Sequence, residues 1–554
     1  MSSSYNLLNQ PWIKVVDSAG KNHEVSLREL FVRAQDFKRI AGESPAQDFA
    51  ILRIALSVIY RAFDFSDASS RSMRNNAKKW AQAWDDKRLP LDAIQVYLDK
   101  YEHRFNLIDD DEPFMQTPSL ASKKGEWKSL EVLVPDSPEL GGLFYRRDPQ
   151  EPMDFAEAAR WLVHCMAFDY SGIKTGAEGD TRVKGGRGYP IGIGWSGWLG
   201  GTSLEGQNLL ETLLLNVVDD TETAWAGTPI WEAPVPTAAE AEEPLEVGQL
   251  TLFTWPQRRI RLRVEDNMVT GVLVCNGDPV DYIHQDHVET MTPWRYSKPQ
   301  SAKAKEDIYM PQAVLPDRAI WRGLPSILPV AERRTDKGRS GQQVDMVKPS
   351  AVANALTKRV RHEKVSPDYK LRVRIVGYEY GAQMASYNRL LFDELAMPAL
   401  LTADETAAEA AVKAAQYAQD TANEIRKFAN NLAIAAGGER GPAGASAQEA
   451  FYSEVDSKFR LWIENLNSAK DFQEPLNSWI ENLYQLANAQ SEELVSQVPD
   501  SAWQGREQDN RLINVGNAHT WFRIGLSKVL PKPDDSTEPV KTGDPSITDE
   551  KEEK

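Results

Sequence analysis

Cysteine is nearly absent from this 554-residue chain: only Cys165 and Cys275 occur. Two thiols exclude a disulfide framework and a cysteine-rich zinc site. Histidine is sparse, at seven residues, and only His284 and His287 stand three apart. Without a third placed ligand they read as surface histidines rather than a metal pair, so no metal is expected. No run of about 18 apolar residues exists and mean hydropathy is -0.49, which excludes a helical membrane span. The opening MSSSYNLLNQPW has neither a basic n-region nor an apolar h-region. With the cysteine count, this predicts a cytoplasmic protein. There is no HExxH, no Walker-type phosphate loop and no GxSxG elbow. The acidic run Asp109-Asp110-Asp111-Glu112 reads as a solvated turn before it reads as a cation site. Nothing here specifies catalysis, so the expectation is a protein that is not an enzyme.

The rest of the composition is ordinary for a globular chain, 41% hydrophobic and 26% charged, with length for about three to four domains. The net charge of -17 speaks against nucleic acid on its face. Its distribution does not. Arg333 to Arg374 holds 12 Lys/Arg against four acids, a local +8 that leaves -25 for the remainder. Lys358, Arg359, Arg361, Lys364, Arg372 and Arg374 are therefore the candidates for one cationic surface, with a merely solvated helix face as the alternative.

The spacing predicts an α+β chain. Ser44-Pro45-Ala46-Gln47 starts a helix that buries the apolar run Phe49 to Phe63. Residues 246–276 read as a meander of Leu250–Trp255, Arg259–Val264 and Met268–Cys275; in the middle strand one face is core and the other is arginine. After Pro398 the pattern becomes helical. Thr402-Ala403-Asp404-Glu405 reads as a capping box for a helix ending at Gly437-Gly438, and Ser446-Ala447-Gln448-Glu449 opens a second. Pro475 to Val498 and Asn510 to Leu530 supply two more, a four-helix bundle over 399–530 behind a mixed α/β domain of 1–398. From Pro531 four Pro, eight acids and four Lys surround almost no apolar residue, so 531–554 is expected to be a disordered acidic tail.

Two segments carry candidate chemistry. Twelve of the 34 glycines fall between Gly172 and Gly206, interleaved with Lys174, Arg182, Lys184 and Arg187. Glycine lets backbone approach a partner closely, so Gly172, Gly176, Gly179, Gly185 and Gly186 with these cations suit a phosphate or groove; a plain surface loop is the alternative. The GxGxxG match at Gly192–Gly197 lacks a preceding apolar strand and is followed by Gly200-Gly201, which speaks against a dinucleotide site. An enzyme using residues 172–206 for a nucleotide cofactor is still the competing class. The second segment is a hairpin: Leu371, Val373 and Ile375 alternate with Arg372 and Arg374, and Gly381-Ala382-Gln383-Met384 follows as a turn able to push between bases. An ordinary exposed hairpin is its alternative.

These residues resemble the CasA family, the large subunit of the type I-E CRISPR surveillance complex called Cascade. Asn6-Leu7-Leu8-Asn9-Gln10-Pro11-Trp12-Ile13 is similar to the family's opening motif and Pro113-Phe114-Met115-Gln116-Thr117 to its second landmark. The Gly-rich segment, the hairpin and the terminal bundle follow in the family's order. The resemblance implies a non-enzymatic reader of the protospacer-adjacent motif that seeds strand separation and R-loop formation and helps dock a helicase–nuclease. Its implied partners are duplex target DNA, the guide RNA, and the backbone, small and handle-binding subunits; no cofactor and no membrane is implied. It makes Gln383 and Met384 a duplex wedge, the loop within Ser171–Gly188 the motif contact, and Phe144, Tyr145 and Arg146 a loop toward the guide's 5′ handle. Counting back from Thr292-Pro293-Trp294 to the family's minor-groove lysine reaches Gln285, so no lysine is carried over.

Overall fold

The computed structural model describes residues 4–63, 70–135, 151–219, 227–243, 245–316, 318–467, 471–508 and 510–531. The expected tail, beyond its first residue Pro531, and the expected handle loop Phe144-Tyr145-Arg146 lie outside them. Helix and sheet are mixed, as the sequence predicts. Two compact units form: residues 1–411 with 463–468, and residues 412–462 with 469–554. No helix among the described residues is long and apolar enough to cross a membrane.

In the first unit the helix Pro45–Phe63 is the core element, buried almost continuously from Ala46 to Tyr60. Its start works as the sequence indicates: Ser44 Oγ accepts the Gln47 N–H at 3.2 Å. The Gln47 carboxamide oxygen returns to the Glu43 N–H at 3.0 Å. Mid-helix, Arg53 is fully buried and grips Glu289 with both guanidinium arms at 3.0 and 2.8 Å. A buried charge is tolerated there because its partner is as buried and is bonded again by Trp195 Nε1 at 2.7 Å.

Both landmark motifs have structural explanations. Leu7, Leu8, Trp12 and Ile13 are fully buried, and Trp12 Nε1 donates to the Leu7 carbonyl at 2.9 Å. Gln116 spends its amide on the Leu107 carbonyl at 2.7 Å and its oxygen on the Leu262 N–H at 2.9 Å. It thereby satisfies the edge of the antiparallel pair Arg258–Glu265 and Met268–Asn276.

Several expectations need correcting. Residues 250–255 are not a strand: Gln249–Phe253 is a short buried helix. On the arginine face of the next strand Arg259 is itself buried: it is 1% exposed, pairs with Asp278 at 2.8 Å, and donates to the Thr237 carbonyl at 2.7 Å. Arg261 and Arg263 are half-buried and lie over Trp127.

In the second unit four long helices share an alanine- and aromatic-rich core: Glu405–Ala435 (which begins in the first unit), Pro442–Glu464, Gln473–Ser496 and Val515–Val529. Phe428 stacks on Phe522 at 4.9 Å and Trp479 Nε1 donates to the Ala414 carbonyl at 2.9 Å. The caps differ from the expected ones. Asp404, not Thr402, takes the Ala407 N–H at 2.9 Å. Pro442 starts the second helix, so Ser446–Glu449 lie inside it. Asn514 caps the fourth, and Asn510 sits in the turn of a small hairpin, Arg506–Gln508 with Arg511–Ile513.

Candidate nucleic-acid interface

The strands Lys370–Tyr380 and Tyr387–Pro398 form the long hairpin that the alternation of Leu371, Arg372, Val373 and Arg374 indicates. Gly201–Glu205 pairs on the other side of the first strand, placing Arg372 opposite Glu205. At the tip, the Gly381 N–H donates to the Ser386 carbonyl and the Met384 N–H to the Gly381 carbonyl, both at 2.9 Å. Gln383 (φ 55°) and Met384 (φ 57°) are consecutive left-handed residues. That conformation costs each side-chain-bearing residue about 1–3 kcal/mol and persists where surrounding contacts impose it. Both side chains are exposed.

The imposing contacts come from residues 168–171. The Ser171 N–H donates to the Met384 carbonyl at 2.7 Å, and Tyr380 OH to the Phe168 carbonyl at 2.7 Å. Beneath the tip, Tyr378 and Tyr387 pack at 4.9 Å, Tyr170 against Tyr387 at 5.5 Å, and Phe168 against Tyr378 at 5.6 Å. The fold therefore brings the glycine-rich segment and the hairpin tip together, two features 200 residues apart in the chain.

Within the glycine-rich segment the cations divide into two kinds. Lys174 is 8% exposed, pairs with Asp169 at 2.7 Å and lies 3.5 Å over Tyr170, so it is not the exposed phosphate contact expected of it. Burial draws its pKa below the usual lysine value and Asp169 opposes this. Arg182 is also engaged, by Asp180 and Glu240 at 2.9 Å each and by the Gly277 carbonyl at 3.0 Å. Lys184 and Arg187 are exposed and have no ion pair among the described residues. Between them Gly185 (φ +60°) and Gly186 (φ +74°) adopt left-handed backbone facing open space. Gly179 (φ +91°) does the same, whereas Gly172 and Gly176 are buried: a Cβ would strike the Tyr170 ring at 2.4 Å and Gly186 backbone at 2.7 Å, respectively.

The expected basic face is broken up. Arg359 is 4% exposed and belongs to the interior: it pairs with Asp219 at 3.0 Å, donates to the Leu214, Leu215 and Val217 carbonyls, and lies 3.8 Å over Trp80. Arg372 and Arg374 sit between Glu205 and Glu394 and are largely neutralised. Arg361 faces Glu405 at 3.6 Å. Lys358 and Lys364 are exposed.

His284 approaches Glu306 at 3.3 Å and His287 is mostly exposed, in keeping with surface histidines. Asp109 Oδ1 accepts the N–H groups of Asp111 and Glu112 at 2.9 Å each, an ordinary acidic turn. Among the described residues no group of three or more His, Cys, Asp or Glu could hold a metal ion. Gly192–Gly197 is not a strand–turn–helix phosphate loop; Trp195–Trp198 is a single 3-10 turn, and a Cβ on Gly194 would lie 2.4 Å from the Ala167 carbonyl. That glycine serves close packing on the helix Phe155–Phe168. Gln285 is buried with its amide on the Asp281 carbonyl at 2.9 Å.

Phe168, Asp169, Tyr170 and Arg258 went unnoticed in the sequence, which reached only Ser171 as the start of the loop. No local pattern marks them, since apart from the nearby Asp169–Lys174 pair the partners of Phe168, Asp169 and Arg258 lie about 90 to 210 positions away.

Residues 6–490 match the family described as CRISPR-associated protein Cse1. A curated relative, CasA/Cse1 of Thermus thermophilus, is 29% identical over 340 residues, covering 59% of this chain and 60% of the relative. The alignment thus spans less than two thirds of that relative's length. The crystal structure of Thermobifida fusca Cse1 is similar over 95% of this chain and 98% of its own, at 34% identity and a TM-score of 0.86. A chain of a CRISPR RNA-guided surveillance complex shares the fold at 17% identity, a TM-score of 0.60, and 89% and 99% coverage. With one family matched across most of its length, the chain belongs to the CRISPR-associated protein Cse1 family.

Proposed function

We propose that this chain is a non-catalytic DNA-recognition subunit of an RNA-guided CRISPR surveillance complex. In this reading it recognises the protospacer-adjacent motif as duplex, starts strand separation and R-loop formation, and helps recruit a helicase–nuclease. Family membership and the fold shared with a surveillance-complex chain support the assembly. Guide RNA and the smaller subunits are the partners within it. Sequence specificity for the full target is left to guide–target pairing.

The observation carrying the reading is the tip: two consecutive left-handed residues, Gln383 and Met384, exposed on a rigid aromatic bed beside a glycine-rich loop. Inserting a side chain into a base step costs a few kcal/mol of unstacking, and a tip whose backbone is fixed in advance loses little more on insertion. Lys184 and Arg187 flank bare glycine backbone and can hold phosphates while the tip enters. The minor groove offers a degenerate pattern, so a reader there tolerates several related motifs. The competing reading, a nucleotide cofactor held by residues 172–206, is the less favoured one, because within that region Gly192–Gly197 lacks the strand and the helix that hold a pyrophosphate.

The test is the double variant Gln383→Gly/Met384→Gly in the assembled complex. Affinity should fall for an intact duplex target and be retained for one already melted beside the motif. Equal losses on both would make the tip an ordinary affinity contact.

A further inference from the structure

Four successive residues, Phe168 to Ser171, each contact the tip hairpin, the glycine-rich loop or both, Tyr170 through its ring against Tyr387 and Lys174. The Phe168 carbonyl receives Tyr380 OH at 2.7 Å. The Asp169 carboxylate receives Lys174 at 2.7 Å and Arg258 Nε. The Tyr170 carbonyl receives Arg258 Nη2 at 2.9 Å, and the same nitrogen reaches the Gly192 carbonyl at 2.8 Å, on the far limb of the loop. The Ser171 N–H holds the Met384 carbonyl while Ser171 Oγ takes the Gly192 N–H at 3.1 Å. Both limbs of the loop and the tip thus converge on one segment.

The charge at this junction is unusual. Asp169 and Arg258 are each 1% exposed by side chain, and Lys174 is 6% exposed. One carboxylate serves two buried cations, and the remaining groups nearest them, Cys165, Tyr380 and Tyr387, are neutral. A buried cation in excess of its counter-charge is costly, and a buried ion pair or triad replaced as a whole by well-packed apolar side chains is often no less stable. Stability alone therefore gives little reason for Lys174. Its position does: together with Arg258 it pins Asp169, the residue between the two backbone bonds that hold Tyr380 and Met384.

We infer that residues 168–171, locked by the buried Asp169–Lys174–Arg258 cluster, are a coupling junction that makes the glycine-rich loop and the hairpin tip move as one element. Lys174 and Asp169 are positioning residues; neither is exposed enough to touch DNA. The functional consequence rests on the proposed wedge, but the coupling itself does not.

The experiment uses the full chain with Lys174→Met, which leaves a neutral Asp169–Arg258 pair, and Tyr380→Phe, which deletes one hydroxyl. Hydrogen exchange of the free protein should quicken about tenfold in residues 171–192 and 381–386 together in Lys174→Met, the size expected for one lost charge-assisted bond. Faster exchange in 171–192 alone, with 381–386 unchanged, would overturn the coupling. So would unchanged exchange in both. In the assembled complex both variants should weaken intact-duplex binding more than binding to a pre-melted target, with the salt slope unaltered. The Gln383→Gly/Met384→Gly variant runs alongside. If it discriminates the two DNAs and the junction variants do not, the inference falls and the wedge stands. If it does not discriminate, the wedge falls, and the exchange data alone decide the junction.

Discussion

Arg359→Met separates a structural cation from a DNA-binding one. Sequence places Arg359 in the most basic stretch of the chain, yet the guanidinium is inside, lying over Trp80 and spread over Asp219 and three carbonyls at the end of the helix Leu209–Leu215. They belong to the C-terminal end of that helix, where Leu214 is also bonded by Val217 N–H and Trp80 Nε1, so Arg359 acts as a buried C-terminal cap. Methionine keeps much of the packing on Trp80 but abandons the carbonyls and takes from Asp219 the cation it pairs with. Removing one partner of a buried pair costs about 3–5 kcal/mol. Urea unfolding followed by circular dichroism is the assay, because 16 tryptophans would mask the signal of Trp80. The first-unit transition should move to clearly lower urea, and adding Asp219→Asn should cost much less than it does alone. In the assembled complex the salt dependence of DNA binding should not change, since no phosphate contact is lost. A cost near the ±0.5 kcal/mol typical of surface substitutions, or a flattened salt slope, would refute the assignment.

Other outcomes follow from the same geometry. Lys184→Ala and Arg187→Ala should each lower the log–log salt slope of DNA binding by about 0.9 while leaving stability unchanged, read by titration at several salt concentrations. Gly194→Ala should destabilise the chain by about 1–3 kcal/mol in urea melts, because its Cβ meets the Ala167 carbonyl, and nucleotides should not protect either form. Asp48 is buried beside the Gly42 N–H, and burial pushes its pKa up to about 7. A carboxyl raised on folding stabilises the native state while protonated, and that contribution fades as pH rises from about 4 to 7; Asp48→Asn should remove this part of the pH dependence of stability.

Local features were legible where the physics is local. The Ser44-Pro45-Ala46-Gln47 start, the alternation along 371–375 and the helical stripes after 402 all rest on neighbours within a few residues. The turn was legible too, because Gly381 follows the alternating residues 371–375, with a wedge and an ordinary exposed hairpin both open as its role. Cation burial was not. Whether Lys174, Arg259 or Arg359 meets water is decided by Asp169, Asp278 and Asp219, and no window of sequence joins Arg359 to a carboxylate 140 positions away. Clustering of charge along the chain was therefore a poor guide to clustering in space. Residues 249–253 failed for a different reason: a short apolar run is compatible with strand or helix until its packing surface is known. The GxGxxG match failed its context test correctly, and the structure supplies the reason in the contact of Gly194 with Ala167.

Strand opening itself can be watched. Thymine reactivity beside the motif should be measured in an intact duplex bound by the assembled complex, once with the native tip and once with Gln383→Gly/Met384→Gly, at protein concentrations giving equal occupancy. The native tip should expose thymines next to the motif, and the glycine tip should leave them protected. Equal reactivity at equal occupancy would contradict a wedge at Gln383 and Met384.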